Sequence, residues 1–407
     1  MILLGVWVRL PDGKLAHAGD LACADPDSQG RYESEFEYAE GWLAHPSAFD
    51  LDPESLRLAN GRARHRASNL HPPLGVFEDA LPDDWGRRLL VFDRRLARGA
   101  QSEAHLLREL GADGLGALAF AERGEPAPRR SPAAAVDLGE LLEAAERFEA
   151  GKLEDRAQLR KLLEAGSTPG GARPKALVDS DDGAWIAKFP SRNRDGRFDV
   201  VGLEAAAMAL ARRAGLAVPD TRLLEFGSRR ALLVRRFDLA PAGGRRHMVS
   251  LKTLCKERPG VHVLAYGELA TSVRKHSSAP RQDVAMLFRH IAFNAAIGNT
   301  DDHLKNFWML RDEHSWRLAP AIDLVPDVGE RREHALAFLY GHTTPSRSDL
   351  AAIAKAWGVK RAEPIVDEVL RAARAFRDEA TRCGVPADNA LEIARDIERR
   401  IERMRAA

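Results

Sequence analysis

Cysteine is scarce in this chain of 407 residues, and long apolar runs are missing. The three cysteines, Cys23, Cys255 and Cys383, lie far apart, and their odd number and wide spacing argue against a disulfide framework or a zinc site. No apolar run approaches the length of a bilayer span, and MILLGVWVRL at the N-terminus is broken too early, by Arg9 and Pro11, for a signal peptide. We therefore expect a cytoplasmic protein that makes no contact with membranes.

An excess of charge of one sign is also missing, because 61 lysines and arginines oppose 60 aspartates and glutamates. A protein with so little net charge has no overall field that would attract nucleic acid. Any contact with DNA would have to come from a local patch or through a partner protein. The length exceeds the size at which a single hydrophobic core usually stops growing, so we expect at least two domains.

The segment 291–323, which reads IAFNAAIGNTDDHLKNFWMLRDEHSWRLAPAID, carries the strongest chemical signal. Asp301 precedes Asn306 by five positions, as in the D-x-x-x-x-N of a kinase catalytic loop, and Asp323 lies further downstream. Magnesium-dependent phosphoryl transfer needs a carboxylate that takes the proton of the attacking hydroxyl, and an amide and a carboxylate that bind the metal. The pattern predicts Asp301 as the base and the other two residues as metal ligands. A hairpin over 307–318 would return Asp323 to Asn306.

A glycine-containing turn lies upstream, in GSTPGGARPK at 166–175. Glycine permits the positive φ and the close approach with which backbone N–H groups bind phosphate, although a flexible hairpin loop is the plainer alternative. The strand predicted over 184–189 carries Lys188, the only lysine in a short apolar run. A lysine on the strand after a glycine-rich loop pairs with phosphates in kinases. A surface lysine on an edge strand is the structural alternative.

A helix is predicted over 199–214, with Glu204 near its start, where it would pair with Lys188 as in protein kinases. A carboxylate at that position also stabilises a helix N-terminus by itself. A hairpin with Gly227 and Ser228 at its turn follows. The residues at its end would connect two lobes and meet adenine through backbone groups: Val234, Arg235, Arg236 and Phe237.

The remaining periodicities predict an α+β protein. Residues 1 to about 75 have the pattern of strands and turns, and 111–120 have that of a strand. Residues 81–96 have the pattern of a helix, with an apolar stripe formed by Trp85, Leu89, Phe92 and Leu96. Helical spacing dominates beyond about residue 245, and the basic C-terminal end is interpreted as a solvated helix face. We predict a two-lobed, protein-kinase-like fold with three parts: a β-rich N-terminal module at 1–125, a kinase N-lobe at 126–240 and a mainly helical C-lobe at 241–407.

Several motifs together suggest a family. They are GGARPKALV at 170–178, WIAKFP at 185–190, LVRRFD at 233–238, HMVSL at 247–251, IGNTDDHLKNF at 297–307 and LAPAID at 318–323. They resemble the motifs of the HipA-type serine/threonine kinases, which are toxins of bacterial toxin–antitoxin pairs. Further upstream, FEDALPDDWGRRLL at 77–90 resembles the N-terminal module of that family, so the resemblance covers nearly the whole chain.

The resemblance implies that Asp301 is the catalytic base, that Lys188 contacts ATP, and that Mg²⁺ binds to Asn306 and Asp323. It also implies that residues 234–237 bind adenine and that the glycine loop covers the phosphates. The loop residues concerned are Gly170, Gly171, Ala172 and Lys175. His303 and Lys305 either contact the γ-phosphate or the target hydroxyl, or are structural, and Asp302 is interpreted as a solvated neighbour of the base.

The family inactivates itself by phosphorylating a serine of the glycine loop. The candidates here are Ser167 and Thr168, and counting back from Lys175 places the threonine where the serine is expected. A phosphate there would add about −1.5 to −2 charges beside bound ATP, which would favour expulsion of the loop.

The function expected from the sequence is transfer of the γ-phosphoryl group of ATP, with Mg²⁺, to a serine or threonine of a cytosolic protein. The resemblance implies that this target is a translation-related protein, and nothing in the residues identifies it. By resemblance, a helix-turn-helix antitoxin of the HipB type would be the partner, and DNA would be reached only through it. Two alternatives stay open. One is a small-molecule kinase of the aminoglycoside or choline type, and the other is a non-catalytic partner of a DNA-binding repressor.

Overall fold

The computed structural model describes most of the chain, in the ranges 1–25, 27–28, 33–67, 74–129, 137–152, 173–180, 182–227, 229–256, 265–312, 314–329, 333–339 and 341–406. The chain forms two compact units. The first comprises Met1–Ala184, Arg236–His262 and Leu310–His314, and the second comprises Trp185–Arg235, Val263–Met309 and Ser315–Ala407.

The described strands, in chain order, are β1 Ile2–Arg9, β2 Leu15–Cys23, β3 Ser34–Tyr38, β4 His65–Ala67, β5 Leu118–Glu122, β6 Lys175–Ser180, β7 Gly183–Lys188, β8 Thr221–Phe226, β9 Arg229–Arg235, β10 Met248–Ser250, β11 Trp308–Arg311 and β12 Trp316–Leu318. The described helices are α1 Glu40–Leu43, α2 Val76–Asp79, α3 Asp84–Asp93, α4 Glu103–Leu110, α5 Leu138–Glu149, α6 Val200–Arg213, α7 Leu251–Leu254, α8 Tyr266–His276, α9 Pro280–Ile297, α10 Arg347–Trp357, α11 Ala362–Arg374, α12 Phe376–Arg382 and α13 Ala387–Arg405.

A five-stranded sheet in the order β4-β3-β2-β1-β5 forms the core of the first unit, as the strand-rich N-terminus predicted. Its strands pair antiparallel, with Val6 opposite both Gly19 and Phe120. Alternate residues of β1 face the same side, and Leu4, Val6 and Val8 are fully buried there. Gly19 admits no side chain, because a Cβ atom would lie 2.2 Å from the carbonyl oxygen of Glu37.

Two sequence expectations in this unit need correction. The apolar stripe predicted for α3 holds at Trp85 and Leu89, which are fully buried, but Phe92 is 53% exposed. Its ring makes an edge-to-face contact with the ring of Phe148, and the two centroids are 5.7 Å apart. The strand predicted over 111–120 begins only at Leu118. Gly111 and Gly116 have φ values of 60° and 72°, which an extended strand cannot accommodate.

His247 makes the stability of the first unit dependent on pH. Its buried ring shares a hydrogen bond of 2.8 Å between Nε2 and the carbonyl oxygen of Leu51. Burial, reinforced by the positive charge of Arg311, lowers the pKa of His247 to about 4. An unfolded histidine takes up its proton near pH 6.5, whereas the folded one does so only near pH 4. This residue therefore stabilises the fold fully above pH 6.5, and that contribution is lost between pH 6.5 and pH 4.

We expect His247→Gln, which can still donate a hydrogen bond to Leu51, to remove this pH dependence. Between pH 7 and pH 4.5 the wild type should lose more unfolding free energy than the variant, by on the order of 2 kcal/mol. Denaturant unfolding at the two pH values measures the difference. His314→Gln, which changes an exposed ring, should follow the wild type. Equal pH slopes for His247→Gln and the wild type would contradict the assignment.

The second unit combines a small sheet with a group of helices. Strand β9 pairs antiparallel with β7 at residues 185–188 and with β8 along its length, and α6 packs on β8 and β9. The predicted helix over 199–214 and the predicted hairpin at Gly227 are thus confirmed, and Ser228 lies outside the described residues. Asp199 caps α6 by accepting a hydrogen bond of 3.1 Å from the Gly202 N–H.

Helix α9 is the centre of the helical part, and it packs against α8, α11 and α13. Pro280 opens α9, and Gly298 ends it in the left-handed conformation that glycine adopts without strain. A side chain at Gly298 would collide with Arg400, because a Cβ atom there would lie 2.6 Å from the guanidinium nitrogen Nε. Arg400 is 8% exposed and donates to Asp396 and Thr344. The C-terminal basic end is therefore not simply a solvated face.

Two further sequence expectations were the absence of a disulfide framework and the absence of membrane-spanning helices. The three cysteines form no disulfide. In the part of the chain that the structure describes, no helix combines the length and the apolar character needed to cross a bilayer.

Candidate active site

The loop 299–306, called here the catalytic loop, follows directly after α9. Because Gly298 turns the chain out of the helix, the loop begins with Asn299 and ends in the short 3₁₀ turn Leu304–Asn306. The Asn306 side chain donates from Nδ2 to the backbone carbonyl of Asp301 over 2.8 Å. This bond closes the five-residue spacing that the sequence showed. The amide nitrogen faces the loop, so the amide oxygen of Asn306 is the atom suited to bind a cation.

The two adjacent aspartates of the loop differ in their surroundings. Asp301 is exposed. The side chain of Asp302 has no exposed surface, and it accepts hydrogen bonds from the Tyr266 hydroxyl, from His334 Nδ1 at 2.8 Å and from the Ala335 N–H at 2.7 Å. The interpretation of Asp302 as a solvated neighbour is wrong. Only Asp301 is placed where an external hydroxyl could approach it.

Lys188 joins two acidic side chains of the second unit. Its ammonium donates to Glu204 Oε1 over 2.5 Å and to Asp323 Oδ1. The three side chains are largely buried, with exposed fractions of 13% for Lys188, 7% for Glu204 and 19% for Asp323. The predicted pair between Lys188 and Glu204 therefore forms. The structure adds the bond to Asp323, which sequence spacing did not predict.

Asp323 lies after the hairpin β11–β12, as predicted, and has a left-handed backbone with φ of 53°. This conformation is uncommon for a residue other than glycine, although aspartate tolerates it better than most residues. Two contacts hold it in place: Lys188 binds one carboxylate oxygen, and Asn299 Nδ2 donates to the backbone carbonyl over 3.4 Å.

The two side chains predicted as metal ligands carry the kind of oxygen atom that a magnesium ion requires. The Asn306 amide oxygen and the Asp323 carboxylate are hard ligands of the kind that Mg²⁺ prefers. Within the described ranges no three His, Cys, Asp or Glu side chains cluster as metal ligands. The usual magnesium site of phosphotransferases uses one or two protein carboxylates together with substrate phosphates and water.

The other predicted residues of the loop are half-buried. His303 precedes the 3₁₀ turn, and its backbone carbonyl accepts the Asn306 N–H over 2.9 Å. Lys305 lies within the turn. Both residues thus lie close in sequence to the proposed base and ligand, and their contacts with a substrate stay a prediction.

Residues 234–236 of the predicted adenine-binding segment form hydrogen bonds, strand pairs or ion pairs with other residues of the protein. Val234 lies in the middle of its sheet, opposite Ile186 and Thr221. The Arg235 N–H donates to the Asp220 carbonyl over 2.8 Å. The Arg236 guanidinium is fully buried in an ion pair with Asp238 at 2.7 Å. An adenine contact of these residues or of Phe237 stays a prediction.

Most of the predicted phosphate loop lies outside the described residues, namely Ser167, Thr168, Gly170, Gly171 and Ala172. Lys175 follows it and is buried in the first unit, where its ammonium is 2.8 Å from Asp83. Asp83 also caps α3 by accepting the Gly86 N–H. The geometry therefore favours an anchoring role for Lys175 over the predicted phosphate contact.

Comparison with known proteins identifies the family. The sequence profile of the HipA-like C-terminal domain matches residues 167–403, more than half of the chain, and the profile of the HipA N-terminal domain matches residues 16–121. This chain belongs to the HipA family. The C-terminal match includes the catalytic loop and every residue that the sequence proposed for the active site.

A solved structure shows the same fold as this HipA-family protein. A chain of the toxin–antitoxin complex of HipA, HipB and operator DNA from Shewanella oneidensis MR-1 superposes with a TM-score of 0.68 and 19% identity. The match covers 98% of this chain and 96% of that chain. The HipA-like, α+β fold class predicted from the sequence is therefore confirmed.

Two relatives from Sinorhizobium fredii carry provisional kinase names. Y4mE is 25% identical over 329 residues, which are 72% of this chain and 72% of that protein. Y4dM is 29% identical over 165 residues, and the match spans only 39% of its length.

Proposed function

We propose that this HipA-family protein is an ATP- and Mg²⁺-dependent serine/threonine protein kinase. The observation that carries the proposal is the bridge from Lys188 to both Glu204 and Asp323, in the same unit as an exposed Asp301. Kinases require a lysine held by a glutamate for the phosphates, a carboxylate for the metal, and a second carboxylate for the attacking hydroxyl.

In this proposal each group has a separate task. Asp301 accepts the proton of the attacking hydroxyl. Lys188 binds ATP phosphates, and Glu204 orients it. Asn306 and Asp323 would hold Mg²⁺, which neutralises charge on the phosphates when it is bound. Phosphoryl transfer demands little covalent chemistry from a protein, so positioning and charge stabilisation carry the rate.

We further propose that the protein is a toxin of a HipA/HipB-like pair, with a helix-turn-helix antitoxin as its partner and a cytosolic protein as its substrate. The support is family membership and the fold shared with a chain of the Shewanella HipA–HipB–DNA complex. DNA would be contacted through the antitoxin, because the nearly neutral chain gives no overall attraction to it. Ser167 and Thr168 are the proposed sites of self-phosphorylation.

Thiophosphate labelling of a cell lysate tests the proposal. Purified wild-type protein and an Asp301→Ala variant are each incubated with lysate, Mg²⁺ and an ATP analogue that transfers thiophosphate. We expect labelled proteins only with the wild type, with thiophosphoserine or thiophosphothreonine on mapping. Equal labelling by both proteins would overturn the proposal. Transfer to amino alcohols or sugars, without transfer to protein, would replace it by a small-molecule kinase.

A further inference from the structure

A buried chain of hydrogen bonds runs from the neighbour of the proposed base to Asp323. The Tyr266 hydroxyl donates to Asp302 and accepts from Asn294 Nδ2 at 3.4 Å. Asn294 Oδ1 accepts from Asn299 Nδ2 at 3.1 Å, and the same amide nitrogen reaches the Asp323 carbonyl at 3.4 Å. In each of these hydrogen bonds one group donates and the other accepts, so the four bonds can form at the same time.

The residues of this hydrogen-bond network are more deeply buried than the residues to which a catalytic task is assigned. The four side chains belong to residues with exposed fractions of 0% for Tyr266, 1% for Asn294, 3% for Asn299 and 1% for Asp302. No substrate can reach such groups directly. A fully connected polar network in a low-dielectric interior is rigid, because each bond that breaks leaves a buried polar group without compensation.

We propose that Tyr266, Asn294, Asn299 and Asp302 are positioning residues that fix the place of Asp301 relative to Asp323. The inference rests on the proposed kinase function and adds a task for residues that this function leaves unused. Asp302 is bonded covalently to Asp301, so anchoring its carboxylate restrains the backbone from which Asp301 projects. At the other end, Asn299 restrains the carbonyl of the residue that would bind the metal.

His334 and Ala335 extend the restraint to the chain beyond Asp323. Both donate to Asp302, from His334 Nδ1 and the Ala335 N–H. The segment is held further by backbone hydrogen bonds from Ala335 N–H to the Thr300 carbonyl, 3.1 Å, and from Tyr266 N–H to the Ala337 carbonyl, 3.0 Å. One buried carboxylate thus ties together helix α8, the catalytic loop and the chain that follows Asp323.

Tyr266→Phe is the most direct test, because it removes the hydroxyl and keeps the ring that packs between Phe307 and Phe338. Misplacing a reacting group by about 1 Å can cost about 100-fold in rate. We expect the kcat for phosphoryl transfer to fall roughly 10- to 100-fold in this variant. The KM for ATP should stay close to that of the wild type, because the pair between Lys188 and Glu204 is untouched.

The unit contains a matched control. Asp283 is a second buried carboxylate, and it accepts the Ser277 hydroxyl at 2.6 Å and the Leu318 N–H at 2.9 Å. Ser277→Ala therefore also removes a hydroxyl from a buried carboxylate, but at a place that holds none of the proposed reacting groups. We expect it to lower the melting temperature as Tyr266→Phe does and to leave kcat unchanged. Wild-type kcat in a folded Tyr266→Phe protein would overturn the proposal.

A metal-binding readout separates this proposal from the kinase proposal. Mn²⁺ replaces Mg²⁺, and its binding in the presence of ATP is followed by electron paramagnetic resonance. We expect Asn299→Ala to weaken Mn²⁺ binding several-fold, because the Asp323 carbonyl loses its donor, and Ser277→Ala to leave it unchanged. Unaltered Mn²⁺ affinity in Asn299→Ala would count against the positioning role.

The wild type gives the reference for both proposals. If it binds Mn²⁺ with ATP but transfers no phosphoryl group, the kinase function is overturned and the network is judged on metal affinity alone. If it binds neither Mn²⁺ nor ATP, both proposals fail. If Tyr266→Phe does not fold, Asn299→Ala supplies both the kcat and the affinity comparison.

Discussion

Asp301→Ala is expected to lower phosphoryl transfer by about 10²- to 10⁴-fold, the range in which a general base usually contributes. Asp301 is the exposed member of the aspartate pair, so an approaching hydroxyl can reach it. Alanine removes the group that takes the proton. The fold should be unaffected, because the contact that closes the catalytic loop uses the backbone carbonyl of Asp301, which alanine retains.

Transfer from labelled ATP, the melting temperature and ATP affinity should be measured on the same preparation. We expect only the transfer rate to change. Asp388→Ala, which removes an exposed carboxylate in the first turn of α13, is the control, and its transfer rate and ATP affinity should equal those of the wild type. A transfer rate within a few-fold of the wild type in Asp301→Ala would exclude this residue as the base. An Asp302→Asn variant that loses transfer would not make Asp302 the base, because a hydroxyl cannot reach this buried carboxylate.

Lys188→Met is expected to abolish transfer and, unlike Asp301→Ala, to destabilise the protein. Methionine preserves most of the side-chain volume but removes the ammonium that Glu204 and Asp323 share. Removing one partner of a buried ion pair typically costs about 3–5 kcal/mol, since a charge is left without compensation. The cost here should lie toward the lower end, because Asp323 is 19% exposed.

Denaturant unfolding measures this loss, and a double variant identifies its cause. Adding Glu204→Gln to Lys188→Met removes one uncompensated charge, so part of the stability should return while transfer stays absent. Lys355→Met, at an exposed position in the last turn of α10, should change neither property. If Lys188→Met unfolds at the same denaturant concentration as the wild type, the bridge does not contribute to stability as the geometry indicates.

Much of the fold could be predicted from the sequence because it depends on local pattern. The strand-and-turn pattern of residues 1 to about 75 predicted β1, the helix expected over 199–214 is α6, and the helical spacing beyond about residue 245 includes α9, since the period of burial belongs to the element itself. The strand predicted over 111–120 failed in its first part, because glycine conformation outweighed the apolar composition. The predicted burial of Phe92 was wrong, because an apolar stripe predicts which residues share a helix face and not how much of that face the rest of the protein covers.

In the candidate site, residue type and spacing determined the roles that could be proposed. The five-residue step from Asp301 to Asn306 is local, and a single side-chain hydrogen bond closes it. The lysine strand and the helix glutamate follow each other closely, so their pairing could be expected from the order of elements. The bond from Lys188 to Asp323 crosses 135 positions, and no local pattern encodes it.

By itself, the sequence determined the chemistry available to this HipA-family protein: two adjacent aspartates, an amide, a lysine and a distant carboxylate. Only the tertiary structure decided which aspartate faces solvent. The two residues are chemically identical, and their difference arises from Tyr266 and His334, which are 36 and 32 positions away from Asp302. Burial of one carboxylate and exposure of its neighbour depend on which distant elements meet, and that is a property of packing.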